Sequence, residues 1–300
     1  MEGTATLTVD RTSSPAKVEF KGQQYKARWI VPPPPVKDDA PCYQARFAQV
    51  DESVRGPVHL SDGSQLENPP TGDETVTTIE MFMVNAYARV TGLRCFPNLQ
   101  SVSLIKQPFR KMEGFHAATH LQDLWLVETN ISAIEGLDAC RQLRRLYLNS
   151  NKITKIRNLD GLLLLHTLWL SDNCITKLEG LETNVSLKQL WLGQNQIEHI
   201  GDALKNNVEL EDINLSGNLV GSFRELLGLT TLPKLQTLCL QDLMFGPNPL
   251  CQLCNYQTYL LYHLQQVSTL DGVKVFDDQK QLAEATYMKK KMYYNMRIKT

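Results

Sequence analysis

A leucine recurs at a fixed interval through the middle of the chain, and this spacing constrains the fold more than any other feature. The series is Leu99, Leu121, Leu143, Leu165, Leu187, Leu210 and Leu235, with steps of 22 residues up to Leu187 and then of 23 and 25. These leucines open copies of the pattern LxxLxLxxNxI, which is nearly uninterrupted in four of the seven units, as in LRRLYLNSNKI (143–153) and LKQLWLGQNQI (187–197). Units repeated in one phase predict a solenoid, in which each turn packs mainly on its neighbours.

The pattern within a unit predicts how each turn is built. We number the opening leucine as position 1; positions 4 and 6 then point to the same side, because side chains alternate along a strand. These residues form the core together with later apolar positions, such as Ile153, Ile156 and Leu159. At position 9 a short amide side chain can satisfy backbone groups where the chain leaves the strand. This position is occupied by Asn151, Asn173, Asn195 and Asn218.

Both ends of the series depart from the pattern. A step of 22 residues back from Leu99 gives TTIEMFMVNAYARVTGL (77–93), which places Thr77 and Glu80 at core positions and predicts a degenerate N-terminal cap with a wetter outer face. At the other end, an apolar, helix-like segment at 248–272 replaces the regular turn and predicts a C-terminal cap. We interpret its Cys251 and Cys254 as small hydrophobic residues, because no second cysteine or histidine pair completes a zinc site.

Composition divides the chain into three parts. Nine of the fourteen prolines lie in residues 1–70, so residues 1–75 are expected to be mostly extended or disordered, with a hairpin turning near KGQQ (21–24). Residues 76–272 are predicted to form the repeat domain with its caps. Residues 273–300 contain Asp277 and Asp278 as helix caps, carry a lysine run near their end, and predict a basic helix.

The repeat unit LxxLxLxxNxIxxIxxL and the ending NPLC…YLLYHL…LDG resemble the SDS22-like class of leucine-rich repeat proteins. The resemblance covers residues 76–300, and its last part is similar to the first repeat module of a longer member. It implies an α/β leucine-rich repeat solenoid of 22-residue repeats with a parallel concave sheet and a helical C-terminal cap. It also implies a non-enzymatic binding protein. The class includes a protein phosphatase 1 regulator, a U2 ribonucleoprotein component and an axonemal dynein light chain, so a cytoplasmic protein with ciliary or axonemal association is expected.

Position 5 faces away from the leucine core and carries aromatic residues on four consecutive strands, namely Trp125, Tyr147, Trp169 and Trp191. Aromatic side chains stack well on neighbouring strands, but an exposed aromatic ladder also marks an interaction surface. The flanking charges are sorted by sign, with Arg144, Arg145 and Lys188 beside the aromatic residues and Glu211, Asp212 and Asp242 toward the C-terminal end. We therefore predict that this face binds a helix or an extended segment of a protein partner.

Other classes of function find less support in the sequence. Basic residues between aromatic rings also suit single-stranded nucleic acid, but a net charge of −1 does not favour a ribonucleoprotein component. The sequence HAATH (116–120) lacks the glutamate of the zinc-protease signature, and no P-loop, GxSxG or GxGxxG is present. No apolar run approaches the roughly 18 residues of a membrane span. An enzyme, a metal, a cofactor and a membrane association are not expected.

The stretch KVEF (17–20) supports an alternative function, regulation of protein phosphatase 1. It matches the basic-Val-x-Phe pattern of extended peptides that dock on this phosphatase, with Lys17, Val18 and Phe20 as the contacting residues. Such a short pattern also occurs by chance in strand-forming segments.

If KVEF is a docking site, the double substitution Val18→Ala and Phe20→Ala removes both apolar anchors and should abolish co-purification of the phosphatase. Each buried anchor contributes about 2–4 kcal/mol in an interface. The far-ultraviolet circular dichroism should stay unchanged, because the repeats do not contain these residues. Equal co-purification by both chains would make the motif a coincidence.

Overall fold

The computed structural model describes residues 16–20, 23–27, 58–59, 65–66, 76–82, 90 and 93–298. Sixteen strands and two α-helices are present in these ranges. The strands are β1 (Ala16–Phe20), β2 (Gln23–Ala27), β3 (Val58–His59), β4 (Gln65–Leu66), β5 (Thr78–Phe82), β6 (Ser101–Ile105), β7 (Asp123–Val127), β8 (Arg145–Tyr147), β9 (Thr167–Trp169), β10 (Gln189–Trp191), β11 (Asp212–Asn214), β12 (Thr237–Cys239), β13 (Gln241–Asp242), β14 (Gly246–Pro247), β15 (Thr269–Leu270) and β16 (Val273–Lys274). The helices are α1 (Tyr256–His263) and α2 (Asp277–Ile298), with 3₁₀ helices at Leu93–Cys95, Phe115–Ala117, Phe223–Thr231 and Pro249–Gln252.

The chain divides into two compact units, which we call the N-terminal unit (1–153) and the C-terminal unit (154–300). In the N-terminal unit, the predicted hairpin is present as the antiparallel pair β1–β2. The prediction of a mostly extended or disordered segment at 1–75 otherwise lies outside the described residues.

Parallel strands pair in the predicted register in each unit. In the N-terminal unit β6 pairs with β7 and β7 with β8, so that Val102, Leu124 and Leu146 are neighbours at position 4. In the C-terminal unit β9, β10, β11, β12 and β15 pair in this order, and Leu168 and Leu190 are neighbours at the same position. These leucines and valines are fully buried. The predicted solenoid with a parallel sheet is confirmed, and we keep the name concave face for the side of the sheet that position 5 occupies.

The predicted asparagine ladder is also present. In the C-terminal unit, Asn195 Nδ2 donates to the carbonyl oxygens of Leu170 and Leu192 at 3.0 Å each, and its Oδ1 accepts from Ile175 N–H at 3.0 Å. Asn195 therefore joins its own turn to the preceding one. A second ladder at the opposite side of the turn was not predicted: Asn207 Nδ2 donates to Leu181 and Asn184 carbonyls at 2.9 Å.

The chain reverses on the outer side of each turn at a residue in the left-handed conformation. Gly136 (φ 72°) and Gly180 (φ 74°) occupy this place in two turns. A Cβ on Gly180 would lie 2.3 Å from the Ile156 carbonyl oxygen, so the close stacking of turns here requires glycine.

The N-terminal cap differs from the prediction by one residue. Strand β5 pairs with β6 so that Ile79 lies beside Val102 and Glu80 beside Ser103. The step between these units is thus 23 residues, and the core position expected for Glu80 belongs to Ile79. Glu80 stands at position 5, yet it is buried, while Thr77 is exposed. Burial raises the pKa of Glu80 to about 7.

The C-terminal cap follows the prediction. The segment after β12 forms the 3₁₀ helix Pro249–Gln252 and α1, and β15 then returns to the sheet. Asp271 closes the cap, because its carboxylate accepts from Leu240 N–H at 2.8 Å and from the Tyr256 hydroxyl at 2.9 Å. The predicted basic helix is α2, which begins at Asp277 and packs on α1.

Replacing Glu80 by glutamine should stabilise the protein in a pH-dependent manner. The pKa of Glu80 is 4.5 in the unfolded chain and about 7 in the folded protein. Glu80 therefore costs stability that grows as the pH rises through this interval and is constant above it. Glu80→Gln should therefore raise the free energy of unfolding by on the order of 3 kcal/mol at pH 8 and leave it unchanged at pH 4. Urea titrations at both pH values measure this. Glu198→Gln, at an exposed position, is the control, and an equal gain for Glu80→Gln at both pH values would contradict the assigned cause.

Candidate functional site

The C-terminal unit carries a stacked pair of tryptophans on its concave face. Trp169 on β9 and Trp191 on β10 are neighbours in the sheet register. Their rings are 4.1 Å apart between centroids and inclined by only 2°. Trp191 Nε1 donates to Asp212 Oδ2 on β11 at 3.1 Å, which fixes the orientation of its indole ring. The pair is a preorganised, flat apolar surface.

The N-terminal unit carries a second aromatic pair at the same repeat position. Trp125 on β7 and Tyr147 on β8 are neighbours in the register, with ring centroids 4.2 Å apart and an interplanar angle of 44°. Each of the four predicted aromatic residues thus points away from the leucine core of its own unit. Within each unit the register agrees with the prediction.

The exposure of these aromatic residues differs from the prediction. All four were expected to be exposed, but each is only partly accessible. The cause is the stacking itself, since a separation of about 4 Å leaves no room for water between the two rings of a pair. Part of the aromatic surface therefore stabilises the fold, and the remaining part is available to a partner.

The charged flanks also differ from the prediction. The sequence suggested charges sorted by sign, whereas the structure pairs opposite charges between neighbouring strands. Arg145 forms two hydrogen bonds to the carboxylate of Asp123, at 2.5 and 2.7 Å. Lys188 Nζ lies 2.9 Å from Glu211 Oε1. Both ion pairs lie at the surface, where solvent screening leaves such pairs little effect on stability. Arg144 is exposed at position 2.

The concave face of the C-terminal unit is acidic. Positions 2 to 8 of its turns carry four carboxylates against one ammonium group, that of Lys188; the carboxylates are Asp172, Glu211, Asp212 and Asp242. Burial raises the pKa of Asp212, which the hydrogen bond from Trp191 partly offsets. Burial alone would raise the pKa of Asp242, but hydrogen bonds from Ser216 and Asn214 and from two backbone N–H groups hold it below its ordinary value.

A loop that sequence reasoning missed borders this face. Five extra residues follow position 8 of the last unit, so the ladder asparagine is Asn248, whose Oδ1 accepts from Val220 N–H at 3.0 Å. The extra residues turn back so that β14 pairs antiparallel with β13, at positions 7 and 8 of the same unit. The sequence signal was the delay of this asparagine by five residues.

The loop is anchored, and its tip is apolar. Asp242 Oδ1 accepts from the N–H groups of Met244 at 2.9 Å and Phe245 at 2.6 Å. The Phe245 ring lies against Gly193, where an added Cβ would be only 2.5 Å from its Cδ2. At the tip, the relative exposures of Leu243 and Met244 are 106% and 85%. Two large apolar side chains held in water on a fixed loop indicate a contact site.

The remaining predicted residues lie away from this face or outside the described side chains. Cys251 is partly buried and its Sγ contacts the Leu240 carbonyl oxygen at 3.5 Å, whereas Cys254 is exposed. Burial raises the pKa of the Cys251 thiol. The backbone of Lys17, Val18 and Phe20 belongs to β1, but their side chains are outside the described ones. None of the described helices has the length and apolarity needed to cross a bilayer.

Comparison with known proteins agrees with this architecture. The model of the leucine-rich repeat family matches residues 132–297. Two internalins of Listeria monocytogenes share the fold: InlC2 (19% identity, TM-score 0.54, 66% of this chain and 80% of that chain) and InlF (19%, 0.53, 67% and 62%). The chain is also similar to a solved structure of the SNF/U2A′ complex of Drosophila melanogaster (33% identity, TM-score 0.41, 45% of this chain and 75% of that chain).

Two adjacent substitutions on β9 should separate the core from the concave face. Leu168→Ala removes a fully buried side chain and should cost about 2–5 kcal/mol of unfolding free energy. Trp169→Ala removes one half of a stacked pair and should cost only about 1–2 kcal/mol. Urea denaturation of the two variants compares them. If Trp169→Ala costs as much as Leu168→Ala, the assignment of the two faces is wrong.

Proposed function

The chain belongs to the leucine-rich repeat family, and from this premise we propose that it is a non-enzymatic protein-interaction scaffold that binds a partner segment on its concave face. A leucine-rich repeat domain fits such a role. The observation that carries the proposal is the stacked pair of Trp169 and Trp191, a rigid apolar surface that the core does not require. An axonemal assembly is the setting that the SDS22-like resemblance implies.

The C-terminal unit also favours a particular chemistry of partner. The four carboxylates of its concave face favour lysine or arginine in the bound segment. Trp169 and Trp191 favour apolar residues in the partner, and so do Leu243 and Met244 at the loop tip. The loop lies beside the same face, because Phe245 contacts Gly193. A helix or extended segment with both an apolar and a basic side meets these requirements.

Selection of peptides on the purified chain tests this proposal. A displayed library of random 20-residue peptides should yield sequences that combine apolar residues with lysine or arginine. Trp169→Ala should weaken the selected peptides by roughly 30- to 1,000-fold, as is usual for an aromatic anchor.

Variants of the loop tip sharpen the test. Leu243→Ser with Met244→Ser should also weaken binding, by about tenfold or more, while leaving the urea midpoint unchanged because both side chains are in water. Leu163→Ser, at another exposed apolar position of the same unit (56% exposed), is the matched control and should bind normally. Enrichment of acidic peptides, or binding that survives Trp169→Ala, would contradict the proposal.

The second candidate function is regulation of protein phosphatase 1 through KVEF. The observation in its favour is that Lys17–Phe20 lies in an extended strand, β1, which is the backbone form of a docking peptide that adds to a sheet. The same strand pairs with β2, so docking would require the free edge of β1. The double substitution described above decides between this function and a chance match.

A further inference from the structure

A second surface feature lies in the cap of the C-terminal unit, away from the strands that carry the tryptophan pair. A pocket of about 310 Å³ opens between the 3₁₀ helix that begins at Phe223, helix α1 and helix α2. Its apolar walls are the rings of Phe223, Tyr259 and Tyr287. Two lysines, Lys290 and Lys291, also line the pocket. This volume is at the lower end of the roughly 300–1,000 Å³ of ligand pockets.

The walls of the pocket are fixed by their contacts with each other. Phe223 and Tyr259 are stacked, with ring centroids 4.6 Å apart and an angle of 13°. The edge of Tyr287 meets Tyr259 at 6.1 Å and 72°, and its face stacks on Tyr262 at 3.9 Å. These contacts join Tyr287 of α2 to two residues of α1 that are one turn apart. The pocket is therefore a preformed feature of the cap.

The charge in the pocket is uncompensated. Lys290 Nζ donates to Asn255 Oδ1, a neutral acceptor. Among the described residues, neither Lys290 nor Lys291 takes part in an ion pair. The pKa of His263 is lowered, mainly by burial and to a lesser extent by the positive charge of Lys291. The field of Lys291 therefore reaches the aromatic residues of α1. Two cations beside aromatic walls and without a carboxylate favour an anionic ligand.

We propose that this pocket binds an aromatic ring that carries an anionic group, the chemistry of a phosphotyrosine side chain. The ring stacks against Tyr259 or Tyr287, which a flat aromatic group does at 4.5–7 Å between centroids. The phosphate, with a charge of about −1.5 to −2 at pH 7, receives charge-assisted hydrogen bonds from Lys290 and Lys291. The hydroxyl of Thr258 lines the same pocket and supplies a neutral donor. This inference does not depend on the concave face.

An exposed thiol makes the site measurable. Cys254 lines the pocket and is exposed, whereas Cys140 is fully buried and Cys239 is partly buried, and burial raises the pKa of both thiols to about 12. A maleimide should therefore label Cys254 fastest among the described cysteines. The full chain with Cys42→Ser and Cys95→Ser provides the background for this measurement.

The experiment follows Cys254 labelling and calorimetric binding with named probes at low salt. Phenyl phosphate and phosphotyrosine amide should slow labelling and bind measurably, whereas tyrosine amide should do neither. Lys290→Met and Lys291→Met should each weaken phenyl phosphate about tenfold or more, since each removes a charge-assisted hydrogen bond. Lys289→Met is the matched control, because this residue is on the same helix but not in the lining of the pocket, and it should change the affinity less than twofold.

Five outcomes decide the proposal. Inorganic phosphate that protects Cys254 as well as phenyl phosphate overturns it in favour of a simple anion site. AMP that binds more tightly than phenyl phosphate overturns the proposal in favour of a nucleotide site. If millimolar phenyl phosphate does not protect Cys254 from labelling, the proposal is wrong. A phosphotyrosine peptide that binds more tightly than phenyl phosphate supports the proposal and identifies a protein as the source of the ligand. Equal affinity of the two probes supports the proposal with a free aromatic phosphate as the ligand. Unchanged urea midpoints of the lysine variants show that the fold is intact.

Discussion

From the turn of Asn151 onward the chain leaves the sheet at a buried asparagine, and the stacking of the turns of the C-terminal unit depends on the hydrogen bonds of that one side chain. The strands of the C-terminal unit have only two or three residues each, so the sheet supplies few hydrogen bonds per turn. Asn218 adds further bonds: its Nδ2 donates to the carbonyl oxygens of Leu192 and Leu215, and its Oδ1 accepts from Ile197 N–H. A buried backbone group without a partner costs about 1–3 kcal/mol. Asparagine is suited to this place because its amide both donates and accepts.

This constraint also determines where binding residues can lie. Because the asparagine fixes each turn against the preceding one, residues at position 5 of successive turns are brought side by side, and aromatic residues there stack without any additional device. The same constraint explains why an insertion is tolerated in the last unit. The loop at 242–247 adds five residues, yet Asn248 restores the ladder by donating to the Leu215 and Leu240 carbonyls at 2.7 Å. New surface is thus gained without loss of the stacking bonds.

Most features set by the repeat period could be predicted from the sequence, whereas individual contacts between side chains of different turns could not. The leucine core, the asparagine ladder and the position of Trp169 and Trp191 follow from a period of 22 residues, which the sequence displays several times over. The step between β5 and β6 is 23 residues, which the period of 22 could not predict. Glu80 therefore stands one position away from the expected one. The ion pair of Lys188 with Glu211 and the seat of Phe245 on Gly193 depend on side-chain directions between different turns. Periodicity carries no information on such contacts.

The C-terminal cap shows why single features concentrate at the end of a solenoid. Inside the stack the core side chains must fit a neighbouring turn on both sides. The last turn has a neighbour on one side only, and its regular outer segment is replaced by α1 and α2. The aromatic residues of these helices cover the end of the core, as Tyr256 does at 5% exposure. Tyr259 of α1 stacks on Phe223 and meets the edge of Tyr287 of α2, and these three rings form the walls of a pocket. Capping the core and forming this pocket are therefore two results of the same packing of α2 on α1.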